Sequence, residues 1–204
     1  PLELPRVKKR PLSWNKITPS EWKSWAKIKS LLPYPGDEAP MENTQSFIAY
    51  DNDFIYIAVE ASEKLRMPLA KQAMPYNNDC IEFYFQNAKK EIVQVVIDAA
   101  GRVFSLPQNI AKELHIVSSV KKGSGYTIFA AVPWKILQIK EIIPGMILPF
   151  NLTRVRIDPN AEKSSWGPVR KVFGFRDVQK FGSLIPGALA EGMGRYEEFF
   201  VSEK

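Results

Sequence analysis

Two carboxylates near the middle of the chain, Glu82 and Asp98, have the residue type and spacing for acid–base chemistry. They fall in two apolar segments, 81–86 and 92–98, which a turn at 87–90 joins, so we expect them on neighbouring strands of a hairpin. Paired carboxylates roughly 5–9.5 Å apart carry out glycoside hydrolysis. Asp98, however, ends its strand beside a turn, where aspartate usually bonds the backbone. A glycoside hydrolase-like site using Glu82 and Asp98 is therefore one hypothesis.

A second chemistry is recognition of a sugar by aromatic side chains. A sugar ring has an apolar face that an aromatic ring can cover, while charged or amide groups bond its hydroxyls. Tyr76, Glu82 and Trp166 have the right types for this. Each also has a structural interpretation: Tyr76 as a corner filler, Glu82 as a partner of Arg102 or Arg154, and Trp166 as a core plug.

Other chemistries find less support. The single histidine, His115, and the single cysteine, Cys80, exclude a histidine pair, a disulfide framework and a cysteine-cluster metal site within the chain. Cys80 lies in a predicted strand, which favours a small buried side chain. No Gly-x-Ser-x-Gly elbow occurs. Four aspartates in turns could supply oxygens to calcium, but their spacing does not form a twelve-residue calcium loop: Asp51, Asp53, Asp79 and Asp158.

Composition is that of an ordinary globular protein. The chain has 204 residues, 45% of them hydrophobic, and a net charge of +6. The basic residues are scattered apart from Lys8-Lys9-Arg10 and Lys121-Lys122, and no nucleic-acid-binding motif occurs, so we interpret the charge as a solvated surface. No apolar run is long enough to span a bilayer. The first residues lack the apolar centre of a signal peptide.

The elements that position these residues are mostly strands. Thr18-Pro19-Ser20-Glu21 predicts a helix N-terminus with a capping box, and the helix should continue to about Lys29 with Trp22 and Trp25 as a lid over a core. Further on, apolar and β-branched segments separated by turns predict successive strands. These are 45–50, 54–60, 81–86, 92–98, 102–105, 114–120, 126–132, 147–157 and 181–184, with a further strand or docking tail at 196–201.

Alternation in the segment Tyr76–Phe85 defines two faces. Ile81, Phe83 and Phe85 should face a core, whereas Cys80, Glu82, Tyr84 and Gln86 point the other way. In segment 147–157 the apolar residues share a parity with Arg154 and Arg156, which predicts a bulge.

Many short strands and few helices predict an all-β fold, an antiparallel β-sandwich of jelly-roll or immunoglobulin-like type with a short N-terminal helix. We expect one domain over residues 1–204. Residues 1–43 should form an N-terminal arm and helix packed on it, and residues 186–204 a C-terminal extension.

An ordered series of motifs covering residues 44–185 resembles the family 9 carbohydrate-binding modules and the wider DOMON-like sandwich group. The motifs are AYDNDFIYIAVEA (49–61), NNDCIEFYF (77–85), DAAGRVFS (98–105), GYTIFAAVPWKIL (125–137), PGMILPFNLTRVRI (144–157) and SSWGP (164–168). The resemblance implies a jelly-roll-like sandwich that binds oligosaccharide or polysaccharide without catalysis. It also implies a secreted or periplasmic protein that accompanies polysaccharide-degrading enzymes. From the charge pattern and the hydropathy we expect no nucleic-acid partner and no membrane span.

The resemblance also implies roles for individual residues. Tyr76 and Trp166 would hold a sugar between them, and Glu82 would accept a hydrogen bond from a sugar hydroxyl. The basic and amide contacts of the family fall near Gln94 and Val96. Arg102 is a further candidate for the hydroxyls.

Expectations about cofactors come from this resemblance alone. No cofactor is expected, and structural calcium is possible because family members can carry it. DOMON relatives that bind haem suggest another alternative, in which His115 would be an axial ligand together with Met67 or Met74.

Overall fold

A computed structural model of the protein describes residues 1–7, 17–38, 42–63, 74–121, 123–157 and 161–187. Within these ranges the chain forms strands with one short helix and several 3-10 turns. The strands are β1 (Leu2–Leu4), β2 (Ala26–Ile28), β3 (Leu32–Pro33), β4 (Thr44–Tyr50), β5 (Phe54–Ser62), β6 (Cys80–Gln86), β7 (Ile92–Asp98), β8 (Val103–Leu106), β9 (His115–Lys121), β10 (Gly125–Pro133), β11 (Leu148–Arg156), β12 (Glu162–Ser165) and β13 (Gly182–Pro186). Helix α1 is Pro19–Trp22, and the 3-10 turns are Pro75–Asn77, Gln108–Glu113, Trp134–Leu137, Gly174–Arg176 and Val178–Lys180.

Two sheets make the sandwich that the sequence predicts. Sheet A has the order β1-β13-β11-β6-β7-β8, with β12 paired to β11 and β3 to β12. Sheet B has the order β2-β4-β5-β10-β9. The pairs are antiparallel except β1 with β13, which is parallel. The predicted extended arm thus begins as an edge strand, while residues 8–10 and the predicted segment 196–201 lie outside the described residues.

The interior between the sheets follows the predicted alternation. Ile81, Phe83 and Phe85 of β6 are fully buried in the main core, where they meet apolar side chains of β5 such as Ile57. Removing one such ring, as in Phe83→Ala, would cost about 3–5 kcal/mol of stability. The opposite parity of β6 is therefore left for the outer face of sheet A, where the candidate site lies.

A second apolar cluster covers the outer face of sheet B. Trp22 is 2% exposed and packs with Phe47, Tyr56 and Phe129, as the predicted lid requires. Glu21 accepts a hydrogen bond from the backbone N–H of Thr18 at 2.6 Å, which places the N-terminus of α1 where the sequence predicts it.

The predicted length of this helix is wrong. Helix α1 ends at Trp22, and Ala26–Ile28 forms β2 at the edge of sheet B. Pairing with β4 satisfies the backbone of this segment and buries Ile28 in the main core. This tertiary pairing overrides the helical spacing of the apolar side chains, which is a weak local preference.

The predicted bulge in β11 is also wrong. Its register with β6 is one-to-one from Phe150 opposite Phe85 to Val155 opposite Cys80. Arg154 and Arg156 keep the interior parity because carboxylates lie beside them: Arg156 bonds Glu63 through Nε at 2.7 Å and Glu162 through Nη1 at 2.9 Å. A buried charge is tolerated when it is paired in this way.

Candidate functional site

Three neighbouring strands of sheet A present a row of side chains on the face turned away from the core. Glu82 of β6 lies opposite Val96 of β7, and Val96 lies opposite Phe104 of β8. In the next row Tyr84 lies opposite Gln94. Directly opposed residues of an antiparallel pair share a face, so these side chains are neighbours. The structure therefore brings together Glu82 and Gln94, two of the residues that the sequence singles out.

A hydrogen-bond network joins these polar groups. Glu82 Oε2 accepts hydrogen bonds from the Tyr84 hydroxyl and from Gln94 Nε2, the latter at 2.9 Å. Gln94 Nε2 also lies 3.0 Å from the Tyr84 hydroxyl oxygen. Among the described residues Glu82 Oε1 has no hydrogen-bond partner, so one carboxylate oxygen remains to accept a further hydrogen bond. The network fixes the orientation of all three side chains.

Burial dominates the electrostatics of this network. Glu82 is 5% exposed, and its desolvation raises the pKa of the carboxyl, although the hydrogen bonds from Tyr84 and Gln94 act in the opposite direction. Desolvation together with the neighbouring carboxylate also raises the pKa of the Tyr84 phenol, which therefore stays protonated and acts as a donor.

A loop over residues 166–181 covers the network. Phe175 and Phe181 of this loop have ring centroids 6.4 and 6.3 Å from that of Tyr84. The exposed Arg176 donates from Nη2 to Gln94 Oε1 at 2.6 Å. Sequence reasoning missed these loop residues because it considered only Trp166 in this segment. The run of Phe173, Gly174, Phe175 and Arg176 was the signal available.

An ion pair within the loop holds its shape. Arg170 Nε lies 2.7 Å from Asp177 Oδ2, and Arg170 Nη2 lies 2.7 Å from Asp177 Oδ1. This hydrogen-bonded arginine lowers the pKa of the Asp177 carboxyl. The two-point contact keeps Phe175 and Arg176 between its ends in a defined position over the sheet.

Tyr76 stands at the rim of the same face. It belongs to the 3-10 turn Pro75–Asn77, is 42% exposed, and packs edge-on against Phe104 with ring centroids 5.2 Å apart. Neighbouring strands are about 4.8 Å apart, so Glu82 and Phe104 lie about 10 Å from each other across Val96. Val96, between them, is fully buried, so the exposed part of this face is its rim at Tyr76 and Arg176.

Trp166 does not lie on this face. Ser165 pairs with Thr153, which shares the outer parity of Glu82, so Trp166 follows with the opposite parity. Its ring packs against Phe150 of the core with centroids 6.0 Å apart, and a Cβ at Gly182 would lie 2.3 Å from it. Trp166 thus packs as a core residue, which was the structural interpretation of this side chain in the sequence.

Arg102 and Asp98 form a separate pair. Arg102 Nη2 lies 2.7 Å from Asp98 Oδ2, and Asp98 Oδ1 accepts the backbone N–H groups of Ala100 and Arg102. Asn78 donates to Asp98 Oδ2 at 3.2 Å. Asp98 is therefore the predicted turn residue. Both of its oxygens accept hydrogen bonds, from the turn backbone, Asn78 and Arg102.

The alternative partners proposed for Glu82 are wrong. Arg102 is engaged by Asp98, and Arg154 points into the sandwich, where Nη1 bonds Thr44 Oγ1 at 2.8 Å. Arg154 cannot reach Glu82 because it lies on the interior side of β11, opposite Ile81, whereas Glu82 lies on the outer face of sheet A.

The other candidate ligands have local roles or lie apart from this face. Asp51 accepts the backbone N–H of Phe54 at 2.8 Å, and Asp79 accepts that of Ile157 at 2.9 Å. His115 is exposed on β9, and Met74 is 44% exposed beside Tyr76. Met67 and Asp158 lie outside the described residues. In the part of the chain that the structure describes, no group of three His, Cys, Asp or Glu is arranged to hold a metal ion.

Comparison with solved structures identifies the fold. The structure is similar to that of a family 9 carbohydrate-binding module from Caldicellulosiruptor kristjanssonii, solved with cellotriose: the TM-score is 0.70 at 12% identity, over 94% of this chain and 97% of the module. With the glucose complex the TM-score is 0.71 at 13% identity, covering 92% and 97% of the two chains. A candidate carbohydrate-binding protein from Bacteroides uniformis ATCC 8492 gives a TM-score of 0.72 at 14% identity, covering 91% and 98%.

These similarities confirm the predicted all-β sandwich and its resemblance in fold to the family 9 modules. No protein-family profile matches the sequence. No curated protein is significantly similar to it. None of the described helices is long and apolar enough to cross a bilayer.

Proposed function

We propose that the protein is a non-catalytic module that binds the end of a sugar chain on the outer face of sheet A. The observation that carries the proposal is the joined polar group of Glu82, Gln94 and Arg176 beside the exposed ring of Tyr76. The similar solved structures support it, because two of them hold glucose or cellotriose. A role in polysaccharide utilisation outside the cytoplasm belongs to the same proposal.

Each group of the site has a role in this proposal. Tyr76, at the exposed rim, covers one apolar face of the sugar ring. Glu82 Oε1 accepts a hydrogen bond from a hydroxyl, and Arg176 donates to another. Gln94 orients both by bonding Glu82 through its nitrogen and Arg176 through its oxygen.

The second aromatic wall is Phe175 in this proposal, in place of Trp166. Phe175 lies next to Arg176 and packs against Tyr84 and edge-on against Tyr34, whose ring centroid is 5.2 Å away. Trp166 instead contacts Phe150 in the core. A sugar would thus lie between a ring from the turn before β6 and a ring from the loop.

Titration calorimetry with glucose and cellotriose tests the proposal. Wild-type protein is expected to give heat with at least one of them, and Tyr76→Ala and Glu82→Gln are expected to remove it. Lys29→Ala, an exposed change elsewhere, should bind as wild type does. The proposal fails if neither sugar gives heat, or if all three variants bind equally.

The enzymatic alternative can be checked on the same material. If Glu82 were an acid–base catalyst, the protein would release reducing sugar from a polysaccharide panel and Glu82→Gln would lose that activity. Because Asp98 is held by Arg102 and by the turn backbone, we expect no release by either protein.

A further inference from the structure

A cleft of about 1270 Å³ opens at one end of the sandwich, apart from the face around Glu82. Its walls come from the β4–β5 turn, the β6–β7 turn, the end of the 3-10 turn Gln108–Glu113, and residues 133–140. The β6–β7 turn is the far end of the hairpin from Tyr76, about 20 Å away along a seven-residue strand. Ligand sites commonly occupy about 300–1000 Å³, so the cleft can hold an oligosaccharide.

The cleft gathers four lysines from three separate parts of the chain. Lys89, Lys112, Lys135 and Lys140 line it, and each is exposed. The sequence shows these lysines as scattered, and the fold brings them together.

Two carboxylates line the same cleft, so its lysines are in excess by two. Glu113 Oε2 pairs with Lys135 Nζ at 2.6 Å, and Asp53 is the other carboxylate. Lys89, Lys112 and Lys140 line the same cleft. A concave, positively charged wall attracts an anion more strongly than the same charges on a flat surface, because a cleft focuses the field.

The remaining lining favours a sugar over a nucleic acid. Asn52 and Gln138 supply amide groups for hydroxyls. The Asn52 oxygen already accepts from Arg6 and the Gln138 nitrogen donates to Glu91, so the Asn52 nitrogen and the Gln138 oxygen are the atoms on offer. Trp134 is only 3% exposed, with Nε1 bonded to the carbonyl of Asp51 at 2.9 Å. Phe54 packs edge-on against His115 with centroids 5.6 Å apart. These rings are therefore engaged with protein, whereas single-stranded nucleic acid is usually held by stacking its bases on aromatic rings.

We propose that this cleft is a binding site for acidic saccharides, in which Lys89, Lys112 and Lys140 hold uronate carboxylates or sulfate groups. The site is separate from the face around Glu82 and does not depend on the function proposed for that face.

Binding of an oligogalacturonide and of a sulfated oligosaccharide tests the proposal, and comparing the two identifies the acidic group. The variant Lys112→Glu/Lys140→Glu is expected to bind the preferred probe about tenfold or more weakly. The control Lys29→Glu/Lys121→Glu changes the net charge equally at exposed positions outside the cleft and should stay within about twofold of wild type. Raising the salt concentration should weaken wild-type binding, since exposed charges are screened.

Three outcomes would overturn the proposal or its assignment to saccharides. If both double variants lost affinity equally, the effect would come from net charge alone and the proposal would be overturned. The absence of binding by wild-type protein would also overturn it. Competition by duplex DNA as strong as that by the acidic sugars would overturn the saccharide assignment. Lys112→Gln/Lys140→Gln, checked by near-ultraviolet circular dichroism, repeats the test without new negative charges. Glucose binding should be the same in the cleft variants and wild type, so the two sites can fail independently.

Discussion

Arg176 and Gln94 connect the loop to the sheet: Arg176 Nη2 donates to Gln94 Oε1 at 2.6 Å across 82 residues of sequence. The Nε2 atom of the same Gln94 amide donates a hydrogen bond to Glu82 Oε2 at 2.9 Å. Gln94 thus lies between a cation and an anion, and its orientation is set from both sides. A change in the position of the loop would therefore also change the orientation of the Gln94 amide beside Glu82.

Replacing Arg176 with alanine should weaken sugar binding while leaving the fold intact. The guanidinium is exposed, so its loss removes a donor from the proposed site without opening a cavity. We expect the dissociation constant for glucose or cellotriose to rise about tenfold, the effect of one charge-assisted hydrogen bond. Lys171→Ala, in the same loop, is the matched control. Unchanged binding by Arg176→Ala, measured by calorimetry, would remove Arg176 from the site.

Phe175→Ala should mainly reduce sugar binding, whereas Trp166→Ala should mainly reduce the stability of the fold. Phe175→Ala is expected to abolish measurable sugar binding, because it removes a proposed wall of the site. Trp166→Ala is expected to lower the free energy of unfolding by about 2–4 kcal/mol, because its ring packs against Phe150 and over Gly182. Calorimetry and urea unfolding measure the two effects. A stable Trp166→Ala protein without sugar binding would restore Trp166 as the second wall.

The strands could be predicted because their side chains alternate strictly. In β6 the parity of Ile81, Phe83 and Phe85 determined the core face, and with it the outward direction of Glu82. The helix beginning at Pro19 was predicted too long because the chain from Ala26 pairs with β4, a contact that local spacing does not encode. Local patterns therefore predicted faces better than they predicted where an element ends.

The site was predictable only in part for the same reason. Glu82 and Gln94 lie on paired strands whose register follows from one hairpin. Arg176 and Phe175 reach that face through a loop whose path depends on the Arg170–Asp177 pair and on contacts distant in sequence. The direction of Trp166 depends on the pairing of Ser165 with Thr153. Neither relationship can be read from the spacing of residues along one segment.

Breaking the buried pair of Arg156 with Glu63 should be strongly destabilising. Glu63 accepts from Arg156 Nε at 2.7 Å and from Nη2 at 3.0 Å, and both side chains are 1% exposed. Glu63→Gln leaves a buried arginine charge only partly compensated, which costs about 3–5 kcal/mol. Urea unfolding should show this loss. Glu113→Gln, which breaks an ion pair with the 72% exposed Lys135, should cost about 0–1 kcal/mol, and equal losses would contradict the argument.

Asp79 lies in the same polar part of the interior. Its Oδ1 accepts the backbone N–H of Ile157 at 2.9 Å, while Oδ2 has no hydrogen-bond partner among the described residues. Desolvation raises the pKa of this carboxyl, and the charge of Glu63 adds to the increase. The Ile157 hydrogen bond and the charges of Arg154 and Arg156 act in the opposite direction without reversing it. The folded protein consequently holds the Asp79 proton more tightly than the unfolded chain does.

Asp79→Asn should therefore become relatively more stabilising as the pH rises. A carboxyl with a raised pKa contributes its full stability below the ordinary aspartate pKa, and this contribution is lost as the pH rises through the folded value. Urea unfolding of wild type and Asp79→Asn between about pH 4 and pH 7 should show a difference that grows with pH. Asp177→Asn is the control: Arg170 lowers the pKa of Asp177, so its stabilisation is complete once the pH is about one unit above the ordinary aspartate pKa, and from there to pH 7 the difference should stay constant. A constant difference for Asp79→Asn as well would show that Asp79 does not titrate abnormally.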